Sequence, residues 1–282
     1  MNFRRGKICS SVLAGFIFSC TILLAFEYEK PNKIDLLVIP NIAVNSSTVN
    51  LIYNYTVVST NKSIQDVWTF TILTDEVYSN VRQPNGWRNH KSVQPEMPKM
   101  VDWAASWGDL PEGKVIPNHS NIDPSPFNIK PGNSLSRFSF ESSSLPGVVT
   151  FYSEGFVQPP EVVGEPTEDA LPPYEFGDDA FRGTTIGPVA VINTSPNGLI
   201  DRLITLKDSM PSYGWITNQG IINGLNVKLN AAKASILKGN NKVAVNQLNA
   251  FINELDAQKG KQVNENAWAL LKANAEFIIA KL

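Results

Sequence analysis

Between Tyr78 and Glu112 the chain interleaves the aromatic residues Tyr78, Trp87, Trp103 and Trp107 with the carboxylates Asp102, Asp109 and Glu112. Flat rings stack on sugar faces or anchor a protein partner, and they are costly to leave in water. Tyr78, Trp87, Trp103 and Trp107 are therefore the candidate ligand-binding group, with a glycan or a cell-surface protein as the partner. The competing arrangement tucks the same rings under their own loop as a small satellite core. The acids add a second chemistry, because a carboxyl pair roughly 5 to 9 Å apart hydrolyses glycosides. Closeness in sequence does not set that distance, and in an acid-rich half of the chain neighbouring carboxylates arise by chance.

Other reaction classes find little material. The only cysteines, Cys9 and Cys20, fall near the start, so the rest of the chain has neither a disulfide framework nor a cysteine nucleophile. His90 and His119 have no cysteine partner and read as surface residues. No serine sits in a Gly-x-Ser-x-Gly elbow, and no Gly-x-x-x-x-Gly-Lys loop is present to cradle phosphate. The acidic stretch from Gln158 to Gly187 includes Asp178 and Asp179 but lacks the alternation and central glycine of an EF-hand, so it reads as a solvated loop. No metal and no cofactor are implied. A net charge of −2 gives no field that would draw the molecule onto nucleic acid.

The elements that position these residues follow an address. Arg4, Arg5 and Lys7 precede an uncharged, mostly apolar run from Ile8 to Phe26, the order that feeds a chain into an export channel. Residues 1–26 are thus a signal peptide or an N-terminal membrane anchor, and contact with a membrane is expected only through this segment if it is retained. The expected location is secreted, periplasmic or at the cell envelope.

Of the 19 prolines, all but Pro211 lie at or before Pro196, which marks a boundary near Ser195. Charge divides there too: residues 27–195 carry 11 basic and 20 acidic side chains, and residues 196–282 carry 10 and 6. In the first part, from Thr48 to Val58, Val49, Leu51, Tyr53, Tyr55 and Val57 alternate with Asn50, Asn54 and Thr56, and Trp68, Phe70 and Ile72 repeat the pattern. Pro131-Gly132 reads as a type II turn before the strand of Phe138 and Phe140, and Leu145-Pro146-Gly147 as another turn. Tyr78 to Asp123 has no sustained period and reads as a long excursion. Residues 27–195 are predicted to form an antiparallel β-sandwich of immunoglobulin or fibronectin III type with long loops.

Residues 196–282 carry helical stripes: Leu199, Leu203, Leu206, Met210; then Ile222, Leu225, Leu229, Ala232, Ile236; then Val245, Leu248, Ile252, Leu255; then Trp268, Leu271, Ala275, Ile278, Leu282. Ser195-Pro196 opens the first helix, and Gly239 and Gly260 stop the second and third. A small antiparallel four-helix bundle is predicted, giving a multidomain β + α chain. Gly198-Leu-Ile-Asp-Arg-Leu, Gly220-Ile-Ile-Asn-Gly-Leu and above all Gln247-Leu-Asn-Ala-Phe-Ile-Asn-Glu make this region resemble the FIMAH domain. The resemblance implies a helical module at the C-terminal end of exported bacterial proteins, hydrolases among them, that accompanies a catalytic unit without performing chemistry. It carries over no catalytic residue. More vaguely, Tyr53-Asn-Tyr-Thr-Val and Ser134-Leu-Ser-Arg-Phe-Ser-Phe are similar to uncharacterised secreted sandwiches. The expected function is an exported, non-catalytic binding or structural module; the alternative is an exported glycan-active hydrolase using loop carboxylates.

Overall fold

The computed structural model of the chain describes residues 30–45, 50–90, 100–106, 124–157 and 179–282. The segment 1–26 and most of the acidic stretch lie outside them. Nine strands come first: β1 (Leu36–Val44), β2 (Leu51–Ser59), β3 (Thr69–Leu73), β4 (Ser79–Arg82), β5 (Trp87–His90), β6 (Met100–Ala105), β7 (Ser134–Ser142), β8 (Leu145–Ser153) and β9 (Phe181–Val189). Four helices follow: α1 (Pro196–Ser209), α2 (Gln219–Leu237), α3 (Asn241–Gln258) and α4 (Glu265–Lys281).

The strands make two antiparallel sheets, ordered β1-β2-β7-β4 and β5-β6-β3-β8-β9. Period-2 patterning sets the facing surfaces. Along β2, Leu51, Tyr53, Tyr55 and Val57 point inward while the residues between them are half-buried. Phe138 and Phe140 of β7 join them from the same sheet, and Phe70, Ile72, Val101, Trp103, Phe151 and Ile186 face them from the other. Tyr55 carries its hydroxyl across the gap and donates to the Ile186 carbonyl at 2.8 Å. The fold is an antiparallel β-sandwich followed by four helices, as the patterning predicts. The Pro131-Gly132 turn also forms, with Gly132 at φ 81° and the Asn133 amide donating to the Lys130 carbonyl.

Three stretches read as irregular are strands. The excursion after Tyr78 contributes β4, β5 and β6, whose short runs are hidden among proline and glycine. Leu145-Pro146-Gly147 opens β8 instead of turning, and Phe181 to Gly187 of the acidic stretch lies in β9. In this pair Pro146 faces Pro188 and Gly147 faces Gly187. Edge position tolerates the proline of β9, and Gly147 gives room to Val189, whose Cγ2 would stand 2.5 Å from any added Cβ.

Each helix opens on a side-chain cap that satisfies an orphan amide. Ser195, Asn218, Asn240 and Asn264 accept from the amides of Gly198, Ile221, Val243 and Ala267. Gly239 and Gly260 end the second and third helices with positive φ, as predicted. The stripe of α2 is the predicted one. That of α1 continues through Lys207, which is fully buried and bonded to Asp208 and Asn226, while Leu206 is only half-buried.

Helix α4 departs most from a single stripe. Ala267, Leu271, Ala275 and Ile278 are buried, but so are Asn266, Leu270 and Asn274, spaced four residues apart on another face. This second face meets the sandwich. The helix packs on β1, β8 and β9, and so covers the side where the edge strands β1 and β9 approach each other. Asn266, 4% exposed, donates to the Val38 carbonyl of β1 and accepts from the Thr185 hydroxyl of β9. Asn274 donates to the Pro146 carbonyl and bonds Arg202 of α1, which donates to the same carbonyl. The buried apolar residues of strands and helices form one continuous cluster. Replacing Asn266 with Ala leaves buried partners on both sheets unpaired and is expected to lower stability by about 1–3 kcal/mol, measured by urea unfolding.

Candidate functional site

Of the aromatic residues singled out in the sequence, Trp87 lies on β5 and Trp103 on β6, and their rings turn inward, while Tyr78 directly precedes β4. Trp103 is 0% exposed and Trp87 2%. Trp103 stacks on Phe70, its direct cross-strand partner, with centroids 5.5 Å apart and planes 10° apart. Phe138 meets both rings edge-on, and Trp87 meets Phe138 at 4.9 Å and 85°. Every polar handle is taken: Trp103 Nε1 donates to the Arg82 carbonyl, Trp87 Nε1 to the Phe127 carbonyl and Tyr78 Oη to the Met100 carbonyl. Tyr78 packs half-buried against Phe140. These three side chains build the main core of the sandwich, where two aromatic-rich sheet faces must fill the space between them. Trp107 lies outside the described residues.

Asp102 sits on β6, half-buried, and accepts from Thr71 Oγ1 at 2.6 Å. Asp109 and Glu112 lie outside the described residues, as does Asp178, whereas Asp179 pairs with Lys30 at 2.6 Å. The structure adds Glu154, just past β8, which no motif marks. It is 8% exposed. Its amide donates to Thr69 Oγ1, one carboxyl oxygen faces that hydroxyl at 3.4 Å, and Oε1 has no partner. Burial, and then the Asp102 charge, push the carboxyl up to about 7. Glu154 therefore exchanges a proton near neutrality while held in the continuation of the strand ladder.

A polar groove of about 550 Å³ lies on the sandwich where the turn holding Asn85 faces the segment from Pro126 to Leu135. Asn85, Lys130, Asn133 and Ser134 are exposed along it, and Asn128 and Ile129 are buried behind them. Phe127 packs directly over Gly86: a Cβ at that glycine would fall 2.0 Å from the ring. Asn128 is 7% exposed, and neither its Nδ2 nor its Oδ1 has a hydrogen-bond partner. Sequence reasoning passed over this stretch because nothing in Phe127-Asn-Ile-Lys distinguishes a groove wall from the approach to a turn. A second, smaller cleft of about 270 Å³ lies between β1 and the helix connections, lined by Leu37, Trp215, Val263 and Asn266. Among the described residues no group of three or more His, Cys, Asp or Glu side chains is disposed to hold a metal ion, and no helix is long and apolar enough to cross a membrane.

The family model of the FIMAH domain matches residues 200–280, within the four helices, so the C-terminal region is a FIMAH domain as its residues suggest. Among solved structures, the chain is similar to an uncharacterized protein from Nocardia farcinica with an immunoglobulin-like fold. That likeness has 14% identity and a TM-score of 0.29, and covers 55% of this chain and 98% of the other. No curated protein matches.

Two outcomes follow from this geometry. Trp103→Ala is expected to cost about 3–5 kcal/mol in denaturant unfolding, because it empties the centre of the ring cluster. Glu154 binds its proton more tightly folded than unfolded, so its stabilising contribution is complete below pH 4.5 and is lost as pH rises to about 7. Relative to Glu154→Gln, the native chain is expected to lose on the order of 3 kcal/mol between pH 4 and pH 8. Parallel pH profiles of the two proteins would show that Glu154 ionises normally.

Proposed function

We propose that the chain is an exported, non-catalytic binding or structural module working at the cell envelope or outside the cell, with a glycan or a cell-surface protein as its partner. The observation that carries this reading is the seam along α4, which joins sandwich and FIMAH domain through one apolar cluster and the buried asparagines Asn266 and Asn274. A body joined in this way presents its loops and groove in a fixed arrangement, which lowers the ordering cost of binding. The charged-then-apolar order of residues 4–26 supports export.

Asp102 and Glu154 support a second reading, an exported glycan-active hydrolase, since the Asp102 charge acts on the Glu154 carboxyl and an acid that holds its proton near neutrality can serve as a general acid. Fractionation of the native host is expected to place the chain outside the cytoplasm, and the purified protein is expected to bind envelope material without turning over a broad polysaccharide panel. A full-length product confined to the cytoplasm would overturn the first reading. Turnover abolished by Glu154→Gln would replace it with the second.

A further inference from the structure

At the joint between sandwich and helices, one indole is left without an acceptor. Trp87, Trp103 and Trp268 each donate their Nε1 hydrogen to a carbonyl or carboxylate oxygen. Trp215 is 6% exposed, yet among the described residues its Nε1 meets no acceptor, and the atom is not sealed from solvent. A tryptophan nitrogen buried to this degree ordinarily finds a partner. Trp215 lines the cleft of about 270 Å³ that Leu37 of β1 forms with the connections leading into α2 and α4. Gly214 and Gly260 line it too, and a Cβ on either would meet nothing within 4 Å. The other polar groups of the lining are engaged in a one-sided way. Asn264 Oδ1 accepts from the Ala267 amide, Asn266 spends both side-chain atoms on Val38 and Thr185, and Glu265 pairs with Lys259 at 2.9 Å. Lys261, the one cation in the lining, makes no ion pair and donates only to the Ala257 carbonyl, so two of its three hydrogens are left over. What the cleft leaves open is an indole donor and a positive charge beside Leu37, itself 48% exposed.

We infer that this cleft holds a carboxylate carried on a short apolar body, the C-terminal residue of a protein partner, with the carboxylate taken by Trp215 Nε1 and Lys261. A carboxylate only accepts, so it uses the open donors and asks for none in return. Its charge makes such bonds shorter and stronger than neutral ones. A neutral sugar is matched less well, because every hydroxyl brings a donor of its own, and the oxygens of Glu265, Asn264 and Asn266 are already taken. A cation is opposed by Lys261. Leu37 and Val263 offer the apolar body a surface to cover. So small a space suits one residue at a chain end and not a longer stretch. The inference rests on the binding-module reading and names the part of a cell-surface protein that is held. Leu37 comes from the sandwich and Trp215, Lys261 and Val263 from the FIMAH domain, so a ligand here touches both sides of the joint.

The test follows the indole N–H signals of the purified full-length chain by NMR, with Trp215 assigned through Trp215→Phe. N-acetyl-leucine, its amide, and leucine-ending peptides with a free or an amidated C-terminus are titrated in. N-acetyl-leucine and the free-acid peptides are expected to move the Trp215 signal to saturation, and the amidated forms to bind weaker by about tenfold or more. Lys261→Gln, at an exposed position, should weaken acid binding severalfold with the melting temperature unchanged, even if Trp215→Phe does not fold. Peptide acids that bind more tightly than N-acetyl-leucine place a chain end in the cleft, whereas binding of N-acetyl-leucine alone makes the ligand a free small acid and overturns the protein partner. Acids and amides that bind alike, acid binding unchanged by Lys261→Gln, or a Trp215 signal that no acid moves each overturn the carboxylate assignment. A neutral oligosaccharide that moves this signal where acids do not overturns the ligand class and leaves the binding-module reading in force. A silent titration from a protein still recovered on envelope material strikes only the inference. Recovery confined to the cytoplasm strikes the reading and the partner together.

Discussion

An open sandwich has two sides where edge strands leave backbone groups and apolar side chains uncovered, and that exposure must be closed before the fold is stable and free of strand-to-strand association. Here α4 closes the side where β1 and β9 meet. A purely apolar helix face would bury edge carbonyls without partners, at a cost comparable to the packing gained. The asparagines at positions 266 and 274 resolve this conflict. Asn266 serves a carbonyl on one sheet and a hydroxyl on the other, so it fixes the sheets relative to each other as well as the helix on both. Asn274 does the same for β8 and, through Arg202, for α1.

The aromatic interior depends on that closure. Rings from β2 and β7 face rings from β3 and β6, and edge-to-face packing across the gap requires a settled sheet spacing. Trp87 and Trp103 are committed to this interior, with at most 2% of either side chain exposed. The Phe127 to Leu135 segment is placed by the core itself, because the Phe127 carbonyl receives the indole hydrogen bond of Trp87. The same bond fixes the ring lying on Gly86, so a change of packing in the core is felt at the groove.

Much of the architecture was legible in the amino-acid order. Alternation along Leu51 to Val57, the Pro131-Gly132 turn and the stripe from Ile222 to Ile236 each have one structural solution, and each is present. Short strands were not legible, because four residues of β4 or β5 give too few repeats to separate period 2 from irregular chain. Pro146 misled because proline and glycine mark turns by local preference, whereas a pair of proline-bearing strands at a sheet edge obeys tertiary packing. The second face of α4 was invisible because asparagine counts as polar in any stripe, although here its polarity is why it is buried. The site was harder still. Tryptophans draw attention wherever they stand, but only three-dimensional packing shows which way a ring points, and the unpaired state of Asn128 exists only once its neighbours are known.

Residue-resolved hydrogen exchange on the full chain under native conditions tests the seam most directly. Amides of β1, β9 and α4 are expected to share a single opening free energy close to that of global unfolding, in the native protein and across added denaturant. Helical amides that open together at a distinctly lower free energy while β1 and β9 stay protected would contradict it, showing that the bundle rides on the sandwich without holding it shut.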